Sequence, residues 1–418
     1  MQDTWKTFAK SASWLMFEKI LRIASGVLVT AAIARYLGPN SYGYLAVILG
    51  TVGVVTAGAT MGAGHVDISE LSVRDSAGSM RFLSSAILAR VLWSVICLLL
   101  FFAFIFFEHA NAPHLYLLVS LLVPISALTI FANKIQADGD FARYSQLSCF
   151  VIAIGAVVKL VGIYQQYSVG YFVFAAVLDG LLSVVILGAW VFANSKIPFR
   201  EILPEWRVSR DYLKLCVPTA ISAVFVAIYF RIELFMVSSV LDGSAAGLWA
   251  GVMMFITPWR MVASSVLTIA NRHLSKDVVK GDNYEDKMVR LIKFMLLVSV
   301  FAALFNSLVA LVVVPVLLGD EYREINGVVW IASLTIIPLF LGAVQEIWIA
   351  HQKTTSIVLK KVIVGLPLSF VLLYVFIVTW GLKGAALGMV ISYFITAVVL
   401  NYFFDRKFLR LQFRGIGL

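Results

Sequence analysis

Long apolar runs separated by short polar breaks dominate the chain. Two of them, 294–318 (FMLLVSVFAALFNSLVALVVVPVLL) and 385–404 (AALGMVISYFITAVVLNYFF), exceed the roughly 18 apolar residues that cross a bilayer. Backbone groups in hydrocarbon need internal partners, and these runs lack the alternation of a barrel strand, so the pattern predicts helices. The segmentation gives twelve spans, at about 11–36, 42–64, 82–107, 115–133, 144–164, 170–193, 215–240, 246–270, 291–318, 327–350, 356–379 and 385–404. The expected fold class is an all-α integral membrane protein. No small-residue cleavage site follows the first run, which reads as a retained first helix.

Composition sharpens this picture. Of 418 residues 61% are hydrophobic and 13% charged, against roughly 45–50% and 25% in soluble domains. The net charge of +10 points to topology rather than nucleic acid. Twelve spans put both termini on one side, and the segments there, with the tenth loop taken as 351–361, hold 23 of the 33 Lys and Arg residues, whereas the six opposite loops hold only Arg323 and Lys383. The positive-inside rule then places both termini in the cytoplasm. Opposite loops such as 37–41, 108–114, 165–169 and 241–245 are too short for a catalytic head. No Gly-rich phosphate loop, metal-spaced cluster or Ser, His, Asp set is present, so no catalytic residue, metal or cofactor is expected. His65, His109, His114, His273 and His351 fall near span ends, and Cys97, Cys149 and Cys216 lie in or beside apolar runs as small core residues.

Leu37-Gly38-Pro39-Asn40-Ser41-Tyr42-Gly43-Tyr44-Leu45-Ala46 is answered by Leu241-Asp242-Gly243-Ser244-Ala245-Ala246-Gly247-Leu248-Trp249-Ala250, an offset of 204 residues. Ala137 with Ala350 and Gly170 with Gly384 give offsets of 213 and 214. A parallel repeat of six spans predicts two lobes related by a pseudo-two-fold axis along the membrane normal. The expected domains are an N-terminal lobe (1–193), a cytoplasmic connector (194–214), a C-terminal lobe (215–404) and a basic cytoplasmic tail (405–418). Ile197, Phe199, Ile202, Leu203 and Trp206 make the connector either an interfacial segment or a plain linker. Trp5, Trp206 and Trp380 stand where aromatic belts form.

Ala34-Arg35-Tyr36-Leu37-Gly38-Pro39 with Tyr42-Gly43, Gln136-Ala137-Asp138-Gly139-Asp140-Phe141, Arg231-Ile232-Glu233 and Gly319-Asp320-Glu321-Tyr322 give the chain its family resemblance. It resembles the O-antigen (Wzx-type) flippases of the multidrug/oligosaccharidyl-lipid/polysaccharide exporter superfamily, which usually carry Asp where Glu233 stands. The resemblance implies a V-shaped, MATE-like pair of six-helix lobes around a central cavity. It implies movement of undecaprenyl-diphosphate-linked repeat units from inner to outer leaflet of a bacterial inner membrane, with a polysaccharide polymerase and chain-length machinery as partners. A membrane-embedded polymerase or ligase, and a drug or cation antiporter of the same superfamily, are the alternatives.

Charges deep in spans rank the candidate site residues, because a charge at mid-bilayer costs from about 2.5 kcal/mol upward. Arg22, Arg90, Arg231 and Arg260, helped by Lys19, would present bidentate donors to a diphosphate. The competing reading pairs them internally: Glu18 and Arg22 share a helix face, and Arg90 meets an acid on another span. Interior cations (Lys19, Arg22, Arg90, Lys159, Arg231, Arg260) outnumber interior acids (Glu18, Asp179, Glu233, Glu346). Lys159 and Glu346 lie near span ends and are set aside as snorkelling side chains. In a regular helix Arg231 and Glu233 point about 200° apart, so one of them faces a neighbouring helix. Asp179, Glu233 and Glu18 are the candidates for proton or sodium coupling. Pro124, Pro258, Pro338 and Pro367 are the expected bending points.

Overall fold

A computed structural model describes residues 2–108, 113–195, 203–280, 284–352 and 356–417, with side chains from residue 13 onward except 107, 108, 268, 269, 271–280 and 356. Among these residues every regular element is helical. Ten helical stretches are long and apolar enough to cross a membrane, and two are too long for one crossing: Ser13–Ser72 has 60 residues and Ile357–Phe404 has 48, where about 20 suffice. Each of these two contains a glycine that leaves helical geometry, Gly38 (φ 71°, ψ 167°) and Gly381 (φ 57°, ψ −134°). Positive φ is open to glycine at little cost. Dividing both stretches at these turns converts ten into the twelve expected spans. The second turn is so tight that a Cβ at Gly384 would collide with the Phe376 carbonyl.

The chain forms two compact units, Met1–Ile33 with Ile48–Ile228, and Ala34–Val47 with Tyr229–Leu418. They divide the chain differently from the expected lobes: residues 215–228 belong to the first unit and 34–47 to the second. Of the connector at 194–214, residues 196–202, including Ile197, Phe199 and Ile202, lie outside the described residues, while Leu203 and Trp206 are exposed.

The first unit contains the flanking arms of α1 (Gln2–Ala59), then α2 (Gly64–Ser72), α3 (Ser76–Glu108), α4 (Pro113–Ser120), α5 (Leu122–Ala127), α6 (Ile130–Ala137), α7 (Phe141–Tyr164), α8 (Val169–Asn194) and α9 (Trp206–Tyr229) up to Ile228. Its core includes Met61, Leu83, Ile130, Leu187 and Cys216. Helix α9 is stitched in by polar contacts: Ser209 donates to the Ser85 carbonyl at 2.9 Å and Thr219 to the Met61 carbonyl at 2.8 Å.

The second unit contains α10 (Ile232–Val240), α11 (Gly243–Lys280), α12 (Tyr284–Val313), α13 (Ile325–Ser333), α14 (Ile336–Gln352), α15 (Ser356–Phe394), α16 (Asn401–Phe404) and α17 (Arg406–Ile416), joined by segment 34–47 of α1. Here the repeated turns meet. A Cβ at Gly43 would strike the Gly243 carbonyl, and one at Gly247 the Pro39 carbonyl, so backbone packs on backbone. Arg35 Nη1 donates to the Val316 carbonyl at 2.9 Å and Tyr322 OH to the Ala34 carbonyl at 3.3 Å. Burial pushes the Tyr322 phenol above its ordinary range and so keeps it a donor.

One sequence expectation needs correction. The segment 405–418 is no plain tail: residues 406–416 form α17, whose Phe408 and Leu411 join the core of the second unit. Of the four prolines, Pro124 and Pro338 sit in the first turns of α5 and α14, just after breaks in their spans, but Pro258 and Pro367 lie inside continuous helices. Span 7 breaks without proline, between Tyr229 and Ile232.

Candidate functional site

The deep charges of the first unit are paired. Glu18 and Arg22 form an ion pair one turn apart on α1, with Arg22 Nε 2.8 Å from Glu18 Oε1. Lys19 lies beside them on an exposed face. Arg90, 1% exposed, is ion-paired with Asp67, 0% exposed. Around this pair Arg90 Nε donates to Tyr212 OH at 2.8 Å, Tyr212 OH to Asp67 Oδ1 at 2.8 Å, and Asn133 Nδ2 to Asp67 Oδ2 at 2.7 Å. Four helices, α2, α3, α6 and α9, thus converge on one buried network, and Arg90 takes the internal-pair alternative. Asp67, assigned from sequence to a polar loop, is the acid that the charge ranking missed. Lys159, set aside as snorkelling, pairs with Asp179 across α7 and α8. Gly155 makes room for that carboxylate, since a Cβ there would overlap Asp179 Oδ1.

The second unit differs. Arg231 occupies the break in span 7, at φ −128° and ψ −1°, and is exposed. The break removes the regular helix that a 200° separation from Glu233 requires. Glu233 lies in the first turn of α10, 2% exposed, where the helix N-terminus favours a carboxylate. Arg260, on α11, places its guanidinium 3.4 Å from the Phe230 ring centroid, a cation–π contact. Phe230 adjoins Arg231 in the break of span 7, so this contact brings Arg260 to that break. Glu346, on α14, is exposed. Among the described residues, no ion pair within 4.0 Å involves Arg231, Glu233, Arg260 or Glu346.

The scaffold behind this cluster is fixed. Trp259 Nε1, next to Arg260, donates to Asn306 Oδ1 at 3.0 Å, and Asn306 Nδ2 donates to Ser333 at 2.8 Å, tying α11 to α12 and α13. Tyr229 OH donates to Thr396 Oγ1 at 2.9 Å, and Tyr229 and Tyr393 pack at 5.4 Å between centroids. Such locked neighbours hold a charged side chain in place. A second polar knot lies in the same unit: Lys361 Nζ, buried, donates to Gln345 Oε1 at 2.6 Å and Asn401 Oδ1 at 2.9 Å.

Among the described residues no group of three or more His, Cys, Asp or Glu side chains is placed to hold a metal ion. His109 and the side chain of His273 lie outside them; His65 and His114 are exposed, and His351 lies 2.9 Å from the Ile347 carbonyl and against Tyr284.

Residues 32–327 match the polysaccharide biosynthesis protein family. The chain is 23% identical over 376 residues to the uncharacterized membrane protein EpsK of Bacillus subtilis (strain 168), covering 81% of this chain and 71% of EpsK. It is 21% identical over 312 residues to the capsular polysaccharide biosynthesis protein CapF of Staphylococcus aureus, covering 70% and 76%. The lipid II flippase MurJ, in an inward closed conformation, superposes with a TM-score of 0.72 at 14% identity over 97% of this chain and 90% of MurJ. An inward-facing multidrug resistance MATE transporter gives 0.69 at 17% identity over 97% and 98%. The apolar spans, the helical fold shared with these transporters and a family match over most of the chain agree: this multi-pass membrane protein belongs to the polysaccharide biosynthesis protein family.

Proposed function

We propose that the chain is a flippase that moves an undecaprenyl-diphosphate-linked oligosaccharide, an O-antigen or similar repeat unit, from the inner to the outer leaflet by alternating access. One observation carries the reading: Arg231 and Arg260, deep in the spans, have no carboxylate within ion-pairing distance among the described residues, while Arg90 and Lys159 do. A cation in hydrocarbon needs a counter-charge, and a diphosphate supplies it with oxygens suited to bidentate guanidinium contacts. The family match and the fold shared with a lipid II flippase support the same substrate class.

In this reading Arg231 and Arg260 are the diphosphate contacts, and Lys19 and Arg22, exposed on α1, are secondary ones. Arg90 leaves the set because its guanidinium is buried against Asp67 and Tyr212. Coupling to protons or sodium falls to Glu233, since Glu18 and Asp179 have cationic partners in Arg22 and Lys159. The membrane is a bacterial inner membrane with both termini cytoplasmic, and a polymerase with its chain-length machinery receives the product.

The test is made in cells lacking the protein, with a membrane-impermeant glycan probe on intact and inverted vesicles. Single repeat units accumulating on the cytoplasmic face are expected, and restoring the gene with Arg260→Ala leaves them there. Accumulation of unpolymerised units on the outer face would show translocation without this chain and would reject the flippase reading in favour of a polymerase or ligase.

A further inference from the structure

Helix α17 carries three faces. At about 100° per residue, Phe408, Leu411, Gln412 and Gly415 share one face, all buried. Gly415 approaches α12 so closely that a Cβ would stand 3.1 Å from Ile292 Cβ. Gln412 locks the helix azimuthally, its Nε2 donating to the Ala397 carbonyl at 3.0 Å and its Oε1 accepting from Asn401 at 3.0 Å. The opposite face holds Arg406, Lys407, Arg410 and Arg414, all exposed. Between these two faces, on one side only, stand Phe413 and Ile416, 42% and 43% exposed.

Charge is concentrated on the outward face. Arg414 is answered by Asp286 at 2.8 Å and Glu285 at 4.0 Å. Asp405 serves as the N-cap, its Oδ1 accepting from the Phe408 amide at 3.1 Å. Arg406, Lys407 and Arg410 have no acid within ion-pairing distance among the described residues. Arg406 donates to the Tyr402 carbonyl at 3.0 Å, and its guanidinium lies 5.0 Å from the Tyr402 ring centroid, so its charge stays at the end of the last span.

We infer that α17 is a docking surface for anionic phospholipid headgroups in the leaflet on the side of the chain's termini. The three faces are those of a helix lying in a membrane interface: one side anchored in the protein, apolar side chains toward the acyl region, cations toward phosphates. A helix whose outward face met only water would have no use for exposed Phe413 and Ile416 beside the cations. A wholly apolar outward face would instead mark burial in hydrocarbon. The surface binds the charged headgroup and discriminates against zwitterionic lipid, because each basic residue near an anionic leaflet adds attraction that a neutral surface does not return. The inference stands independently of the transported substrate.

The test uses the full-length chain with Ile416→Cys carrying a fluorophore, reconstituted in phosphatidylcholine and titrated with nitroxide-labelled phosphatidylglycerol or nitroxide-labelled phosphatidylcholine. Quenching by phosphatidylglycerol at lower mole fraction than by phosphatidylcholine is expected. The combined substitution Arg406→Gln, Lys407→Gln and Arg410→Gln, on exposed positions that leave the thermal midpoint unchanged, weakens phosphatidylglycerol binding on the order of a hundredfold, and added salt weakens wild-type binding in the same direction. Equal quenching by both lipids, or unchanged phosphatidylglycerol binding in the triple variant, overturns the inference. Displacement of the lipid by millimolar inorganic phosphate overturns it too, by showing a site for soluble anions.

Discussion

Arg90 in the first unit and Arg260 in the second are the same side chain in the interior of an apolar helix, yet they meet opposite surroundings. Arg90 is closed in by a carboxylate, a phenol and, through the carboxylate, an amide. Arg260 has an aromatic face at 3.4 Å and no carboxylate within ion-pairing distance among the described residues. A buried ion pair saturates its own charge, so Arg90 is a structural tie among four helices. An arginine set against a ring, without an ion-paired acid, retains capacity for an anion. Depth in a span therefore identifies charges that matter without telling which of the two tasks they perform.

The sharpest way to break the comparison is to remove the partner of the closed arginine. Asp67→Ala strands Arg90 in the interior beside Tyr212, and leaving one member of a buried pair costs about 3–5 kcal/mol. The thermal midpoint in detergent should fall steeply or the protein should fail to accumulate. Asp67→Leu combined with Arg90→Met removes both charges and should recover most of the loss, because an apolar replacement of a buried pair is often neutral. If the double variant is no more stable than Asp67→Ala, the pair is not what ties these helices.

The next effect concerns the repeated turns. Gly247→Ala drives a methyl into the Pro39 carbonyl, where neither backbone segment has room. Overpacking of this kind costs about 1–3 kcal/mol, read as a lower thermal midpoint. Gly26→Ala, with open space around its Cβ, is the control and should leave the midpoint unchanged or slightly raised. Equal behaviour of the two variants would mean that the turn contact does not constrain the second unit.

These cases show what could be read from the sequence. The spans could, because a run of apolar side chains long enough to cross a membrane is a local property; so could the turns at Gly38 and Gly381, where polar breaks and glycine coincide. Partners could not: Arg90 and Tyr212 are 122 residues apart, and Tyr322 and Ala34 are 288 apart. Arg35, Gly38, Gly43 and Tyr322 carried the family resemblance and meet in one structural joint of the second unit, with no intramembrane charge of the Arg260 cluster among them. The break in span 7 has no proline to announce it. Helix α17 was missed because it is too short to register as a span, although Phe408, Leu411 and Gly415 already had helical spacing.

Arg260 tests the other half of the comparison through transport. Arg260→Ala is expected to lower translocation at least tenfold while changing stability by less than about 1 kcal/mol, since it gives up one cation–π contact. Arg260→Lys keeps the charge and loses the planar fork, and should fall between the two. A stability loss as large as that of Asp67→Ala, with transport of the surviving protein intact, would make Arg260 structural like Arg90.

The smallest effect belongs to Glu18 and Arg22, and its smallness is informative. The pair lies one turn apart on α1 with the Arg22 side chain 45% exposed, a geometry that contributes only about 0.2–0.5 kcal/mol on a helix. Glu18→Gln should therefore leave the thermal midpoint nearly unchanged, while releasing Arg22 from its carboxylate. If Arg22 contacts the transported anion, that release strengthens its pull: Glu18→Gln keeps or raises the apparent affinity in a translocation assay, and Arg22→Gln lowers it. If both substitutions leave affinity and midpoint alone, Arg22 is a neutralised surface charge, and the contacts to the anion lie in the second unit alone.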